Sequence, residues 1–171
     1  DFLGPGPRQL LNAIKWAQAR RRGDVPGIRL YCAESIPAAT GAMASSRLRA
    51  APSRMPHLVE ALAARLGIAE TSAADLSEEE RRWLTRAVAA INVANGRALV
   101  TAGLGIGAQA ARWIAQINDA IGATGRTLKL TSPVVDPAIA TASSGDLVTD
   151  MNAGQVDTLV ILDANPVYTA P

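Results

Sequence analysis

Short apolar runs alternate along this chain with stretches of helical periodicity, and this alternation limits the possible folds more than any other feature. Strand-forming runs lie at 28–33, 98–102, 127–131 and 158–162. The runs around Leu99 and Leu159 are nearly all apolar, which is typical of strands covered on both faces of a parallel sheet. The sequence therefore predicts one α/β domain over residues 1–171, a three-layer Rossmann-like arrangement with a mainly parallel sheet.

Helices are predicted wherever apolar residues recur at spacings of three and four. The predicted helices lie at 8–22, 56–66, 77–94, 108–121 and 145–152. Ser77 and Glu80 have the spacing of a capping box, which places the start of the third helix. The stretch 38–52 has small residues and scattered arginines without periodicity, so it is predicted to be an extended loop.

Charge and hydropathy exclude two classes of partner. The chain has 17 Lys plus Arg against 15 Asp plus Glu, a formal net charge of +2 that is too small to indicate a nucleic-acid surface. The run Arg20 to Arg22 closes a predicted helix, where cations complement the negative end of the helix dipole. No apolar run approaches the roughly 18 to 20 residues that span a bilayer, so direct membrane insertion is not expected.

Metal-binding and catalytic residue types are sparse. The single cysteine, Cys32, excludes an internal disulfide, a CxxC pair and an iron-sulfur cluster built from this chain alone. His57 is the only histidine, and no second ligand stands at metal spacing from it. Asp157 and Asp163 bracket a predicted strand, which separates them by about 15 to 20 Å, too far for a paired acid and base. No catalytic residue, metal or cofactor is therefore assigned to the chain by itself.

A glycine-rich turn at 103–107 follows a predicted strand and opens a predicted helix. Backbone amides and a helix dipole can hold a phosphate in that setting, so Gly103, Gly105 and Gly107 are candidate cofactor-binding residues. The spacing is G-x-G-x-G, whereas the dinucleotide fingerprint needs a glycine in the place of Ala108. The alternative is structural, since glycines also let a tight turn form and a helix approach a sheet.

Asn165 and Pro166 form the second candidate site, directly after the strand predicted at 158–162. Proline fixes φ and biases the preceding residue toward an extended or turn conformation. Ligands of open α/β folds bind at the carboxyl ends of the strands, so a cleft is predicted between this loop and the turn at 103–107. The alternative is a turn that only changes the direction of the chain.

Two longer stretches resemble a known family. VDTLVILDANPVY at 156–168 resembles the strand and Gly-x-Asn-Pro loop of molybdopterin oxidoreductases, with Asp163 where glycine is common. RLYCAESIPAATGAMA at 29–44 resembles one branch of that family, the molybdopterin-oxidoreductase-like iron-sulfur subunit of alternative complex III type respiratory complexes. Arg47 to Arg49 depart from the Asp-His pair that related sequences often carry.

The resemblance implies a part of a larger protein. The loop at Asn165 and Pro166 would lie near a bis-molybdopterin guanine dinucleotide cofactor, while the metal ligand and the iron-sulfur clusters would come from other domains. In the respiratory branch this region is a scaffold without the cofactor. Its partners would be other domains of the same chain and subunits of a membrane-bound electron-transfer complex, on the periplasmic face.

Three functional hypotheses follow. The first is a scaffold domain in respiratory electron transfer that is not catalytic alone, and the second is the bis-molybdopterin guanine dinucleotide-binding domain of an active molybdenum oxidoreductase. A free-standing nucleotide-binding domain is disfavoured by the incomplete fingerprint, and by ends at Asp1 and Pro171 that are typical of an excised piece.

Burial between helices is predicted for Leu99, Val100, Leu128, Leu130, Leu159, Val160, Ile161 and Leu162. Truncating Ile161 to Ala is then expected to cost about 2 to 5 kcal/mol.

Overall fold

The computed structural model describes residues 1–6, 8–21, 27–70, 75–132, 143–163 and 165–169. Contacts divide the chain into two compact units, Asp1–Leu130 and Thr131–Pro171. Each unit is defined by its own internal contacts, so the predicted single domain over 1–171 stays a prediction.

Four of the five helices described in the first unit follow the sequence prediction closely. They are α1 (Gln9–Arg21), α2 (Ala39–Ala42), α3 (Met55–Arg65), α4 (Glu78–Ala94) and α5 (Ala108–Ala120), with 3-10 turns at Pro52–Arg54 and Leu104–Ile106. The capping box is confirmed, since Ser77 Oγ accepts from the Glu80 amide and the Glu80 carboxylate accepts from the Ser77 amide. Asn95 then ends α4 in the left-handed conformation, with φ 46°. Arg22, at the predicted end of the first helix, lies outside the described residues.

The sheet is a parallel pair, β1 (Tyr31–Glu34) and β2 (Ser46–Arg49), with Ala33 opposite Leu48. This confirms an α/β chain with parallel strands. The loop predicted over 38–52 was wrong, because that stretch contains both α2 and β2. Leu48 is buried at 1% exposure between two exposed arginines, an alternation of period two that is only four residues long.

The core of the first unit lies where α3 packs against α4 and α5, and where α4 meets β2. Leu48, Leu84 and Ile117 are fully buried there. Trp83 of α4 joins the helices to the sheet, since its Nε1 donates to the Ser46 carbonyl at 3.3 Å. Its ring meets Tyr31 edge-on, with the centroids 6.0 Å apart. The apolar face of α4 therefore packs against the small sheet, and α3 and α5 complete the core.

Three predicted strands are absent from the described residues. The runs at 98–102, 127–131 and 158–162 belong to no strand, apart from a bridge between Thr124 and Leu128 that closes a local turn. The predicted burial was wrong for Leu99, Leu130, Leu159, Val160, Ile161 and Leu162, which are 44–82% exposed, while Val100 and Leu128 are half-buried. A strand forms only where its backbone can hydrogen-bond to a neighbouring strand, whatever its side chains are. In the described residues, no strand lies beside these runs.

The second unit contains α6 (Ser144–Asn152) and α7 (Pro166–Thr169). The predicted helix at 145–152 is confirmed, and a capping box formed by Ser143 and Asp146 begins it. None of the residues described between 143 and 169 is buried, although Leu147 and Val156 are half-buried. In the part that the structure describes, this unit therefore has no apolar core of its own.

Candidate functional site

The approach to the glycine turn is fixed by one side chain of α5. Asn118 is 4% exposed, and its Oδ1 accepts from the Val100 amide at 2.9 Å while its Nδ2 donates to the Val100 carbonyl at 2.8 Å. These two bonds satisfy both backbone groups of Val100, as a neighbouring strand would. The segment that enters the turn is thereby anchored to α5 without a sheet.

The turn itself is a 3-10 turn, Leu104–Ile106, followed by Gly107 as the N-cap of α5. Gly107 has φ 84° and ψ 153°, a conformation that residues with a Cβ rarely adopt. The helix predicted to open at Ala108 does begin there. At Gly107, the structural reason for glycine is therefore sufficient.

Gly103 and Gly105 differ from Gly107. Gly103 has φ −74°, Gly105 is not among the glycines of positive φ, and a Cβ built on either would meet no described atom within 4 Å. Neither backbone conformation nor crowding requires glycine at these two positions. The α5 N-terminus also lacks a side-chain cap, in contrast to α4. An open turn before uncapped amides is an arrangement that can approach an anionic group closely.

The second candidate loop is organised around α7. The Tyr168 amide donates to Asn165 Oδ1 at 3.2 Å and to the Asn165 carbonyl at 3.1 Å. The Asn165 side chain therefore acts as a helix cap before Pro166. Asp163 adopts φ 50°, in the left-handed region that favours glycine. Glycine is common at this position in the family that the stretch 156–168 resembles. The loop thus has a backbone suited to glycine while presenting a carboxylate.

The predicted site residues are divided between the two units. Gly103, Gly105 and Gly107 lie in the first, and Asn165 and Pro166 lie in the second. Each half is formed by contacts inside its own unit, and the cleft between the halves stays a prediction.

Sequence reasoning missed a polar cluster around Glu34, at the carboxyl end of β1. The Glu34 carboxylate accepts from Arg47 Nε at 2.5 Å, from the Ala38 amide at 3.4 Å and from the Cys32 thiol at 3.7 Å. A Cβ on Gly41 would overlap that carboxylate, so this glycine makes room for it. Because Arg47 lies on the neighbouring strand β2, 13 residues along the chain from Glu34, no local sequence signal could have identified the cluster.

The electrostatics of this cluster make Cys32 a poor nucleophile. The hydrogen bond from Arg47 lowers the pKa of Glu34, while burial and then the charge of Glu34 raise the pKa of the Cys32 thiol. A raised pKa keeps the thiol protonated, and the thiolate is the reactive form. The cluster therefore binds β1 to β2 and to the start of α2.

Metal ligands do not converge in the residues that the structure describes: no group of three or more His, Cys, Asp or Glu side chains could hold an ion there. His57 is exposed near the start of α3. Nor, within the same ranges, does any helix have the length and hydropathy needed to cross a membrane.

Comparisons with protein-family models, with curated proteins and with solved structures give no match to this chain. Functional conclusions therefore depend on the residues and geometry described above.

Proposed function

We propose that this chain is a scaffold domain of a larger protein that resembles the molybdopterin oxidoreductases, and that it packs against neighbouring domains and subunits in respiratory electron transfer. The observation that carries this proposal is the exposure of the run 159–162, where Leu159, Val160, Ile161 and Leu162 are 44%, 72%, 49% and 82% exposed. Four consecutive aliphatic side chains facing solvent are unusual for a surface with no partner.

The energetics favour covering this run. Burying an aliphatic side chain of this size completely contributes about 1.5 to 3 kcal/mol, and between 44% and 82% of the surface is exposed at these four positions. The second unit has no buried residue among those described between 143 and 169 that could absorb the run. A neighbouring protein surface supplies the missing burial.

The same reasoning extends to the finer fold. We propose that 98–102, 127–131 and 158–162 become strands when neighbouring protein supplies their backbone partners, completing the mainly parallel sheet of a three-layer Rossmann-like domain. Leu99 and Leu130, at 50% and 75% exposure, would then be covered as well. This is supported at 98–102 and 158–162 by the nearly all-apolar character of the two runs, which suits strands covered on both faces.

A charge placed in the run tests the scaffold proposal. Val160→Asp should leave the thermal melt of the isolated chain unchanged, because Val160 is 72% exposed. In the full-length protein it should release the subunits that the wild type retains on size-exclusion chromatography. The matched control is Gln155→Asp, which adds the same charge at an exposed polar residue of the same unit. Retention of every subunit by the Val160→Asp protein would contradict the proposal.

The second candidate function is the bis-molybdopterin guanine dinucleotide-binding domain of an active molybdenum oxidoreductase, in which the cofactor would supply the redox chemistry. The observation that favours it is the open turn at Gly103 and Gly105 before the uncapped α5. The turn fits a phosphate of that cofactor, and Gly107 would hold the turn in place. Asn165 and Pro166 would be the other cofactor-binding residues.

The loop at Asn165 fits an anionic cofactor less well than the turn does. The Asn165 side-chain oxygen lies at the Tyr168 amide, and Asp163 adds a carboxylate two residues before it. A carboxylate near a phosphate repels it. This difference between the two loops favours the scaffold function over cofactor binding.

Metal analysis of the full-length protein separates the two functions. Molybdenum near one atom per chain supports the cofactor-binding domain, and preparations without molybdenum support the scaffold. Iron measured in the same sample reports iron-sulfur clusters in other domains, since Cys32 is the only cysteine here.

A further inference from the structure

A cavity of about 430 Å³ opens at the amino ends of β1 and β2, within the first unit. Among the described residues, its lining consists of Arg20, Gly27, Ile28, Arg29, Tyr31 and Ser45. Its volume falls in the range of small-molecule pockets. Because it lies at the opposite ends of the strands from Glu34, it is separate from the polar cluster described above.

Two guanidinium groups line this cavity without a carboxylate partner among the described residues. The ion pairs among the described residues join Glu34, Glu80 and Glu78 to arginines outside the cavity. Arg20 is held in place, since its Nη1 donates to the Met43 carbonyl at 3.3 Å and its guanidinium carbon lies 5.9 Å from the centroid of the Trp16 ring. The cavity thus has two positive charges that no described carboxylate pairs with, one of them pre-positioned.

The hydroxyl group of Ser45 adds a donor beside these charges. Ser45 Oγ accepts from the Leu30 amide at 3.2 Å, which leaves its own O–H free to donate. Tyr31 also lines the cavity, and its ring is fixed edge-on against Trp83. Guanidinium forks and hydroxyls together are the donor set that recognises phosphate oxygens.

We propose that this cavity binds a small organic phosphate, with Arg20 and Arg29 holding the phosphate oxygens. A phosphate carries up to two negative charges and several acceptor oxygens, so it matches two separate guanidinium groups better than a single carboxylate does. Gly27 leaves space at the rim, and Ile28 offers an apolar contact to the organic part. The site depends on neither the scaffold function nor the cleft near Gly103.

Calorimetric titration of the purified protein with inorganic pyrophosphate tests the proposal. The wild type should bind, and Arg29→Gln and Arg20→Gln should each weaken binding about tenfold or more, the effect expected for losing one charge-assisted contact. The matched control is Arg86→Gln, which removes an exposed arginine of α4 away from the cavity lining and should bind as the wild type does. Thermal melts of all four proteins establish that they are folded.

Four outcomes would overturn the proposal. In the first, the wild type does not bind pyrophosphate at millimolar concentration, and in the second, the cavity variants bind it as tightly as the wild type. In the third, Arg86→Gln weakens pyrophosphate binding as much as the cavity variants do. In the fourth, the protein is retained on phosphatidylglycerol vesicles but does not bind pyrophosphate. The third would indicate attraction to net charge, and the fourth a lipid headgroup in place of a soluble ligand. Molybdenum content and subunit retention are unaffected by any of these, so failure here is distinguishable from failure of the scaffold proposal.

Discussion

Arg54 holds the carboxylate of Glu80 with two hydrogen bonds, from Nε to Oε1 at 3.0 Å and from Nη2 to Oε2 at 2.7 Å. Glu80 is buried at the start of α4, and Arg54 closes the 3-10 turn that precedes α3. The same carboxylate accepts from the Ser77 amide at 2.7 Å. One buried side chain thus joins two helices and caps one of them.

Acidification should weaken the fold through this pair. The hydrogen bond from Arg54 lowers the pKa of Glu80 from 4.5 to about 2. Because the folded-state pKa is the lower one, the stabilisation is complete above about pH 4.5 and is lost as the pH falls toward 2. It amounts to about 3 kcal/mol, since each pKa unit corresponds to about 1.4 kcal/mol. Denaturant titrations of the wild type and Glu80→Gln from pH 7 to pH 2 should show a gap that closes at low pH.

The control for this experiment is Glu78→Gln on the same helix. Glu78 pairs with Arg82 at 3.4 Å, and both side chains are more than two-thirds exposed, at 74% and 68%. Exposed pairs of this kind change the free energy of unfolding by about 0.5 kcal/mol or less. A Glu80→Gln deficit that stays constant across the pH range would mean that ionisation of Glu80 does not stabilise the fold.

Replacing Asn118 should unfold the approach to the glycine turn. Asn118→Leu leaves both the amide and the carbonyl of Val100 without their side-chain partner. Removing one partner of a buried hydrogen bond costs about 1 to 3 kcal/mol, and two such bonds are lost here. Gln109→Leu, at an exposed position of α5, is the control. Equal melting temperatures for the two variants would contradict the role assigned to Asn118.

Two isoleucines separate the observed core from the predicted one. Ile117 is 0% exposed, so Ile117→Ala should cost about 2 to 5 kcal/mol. Ile161 is 49% exposed, so in the isolated chain Ile161→Ala should cost less than about 1 kcal/mol. Denaturant unfolding of both variants measures the difference, and a larger cost at Ile161 would restore the prediction of a buried strand.

Glycine substitutions distinguish a structural role of each glycine in the turn from a role in phosphate binding. Gly107→Ala should lower the free energy of unfolding by about 1 kcal/mol or more, because φ is 84° there. Gly103→Ala should be neutral or stabilising by a few tenths of a kcal/mol, since a Cβ meets no described atom within 4 Å. Thermal melts give both values, and a strong loss at Gly103 would show that the turn requires that glycine for its own fold.

Local signals explain which parts of the fold could be predicted. The capping box at Ser77 and the periodicity of α3 and α4 involve residues within a turn of each other, so the sequence shows them directly. β2 was missed because a four-residue strand offers a single alternation around Leu48. The strand at 158–162 was predicted from its side chains alone. A strand also needs a neighbouring strand to pair with, and the sequence does not identify that neighbour.

The candidate site was predictable only in part, for the same reason. The position of the glycine turn and the start of α5 follow from the local pattern. The bond from Asn118 to Val100 spans 18 residues, and the bond from Arg47 to Glu34 spans 13. Contacts between residues so far apart depend on the packing of helices and strands, and no local pattern marks these side chains.

Hydrogen exchange at residues 158–162 tests the central claim most directly. In the isolated chain these residues belong to no helix or strand and their apolar side chains are exposed, so their amides should exchange rapidly. In the full-length protein within its complex, pairing and burial should slow the same amides by about a hundredfold or more. Rapid exchange of these amides in both samples would contradict the proposal that this run is covered by neighbouring protein.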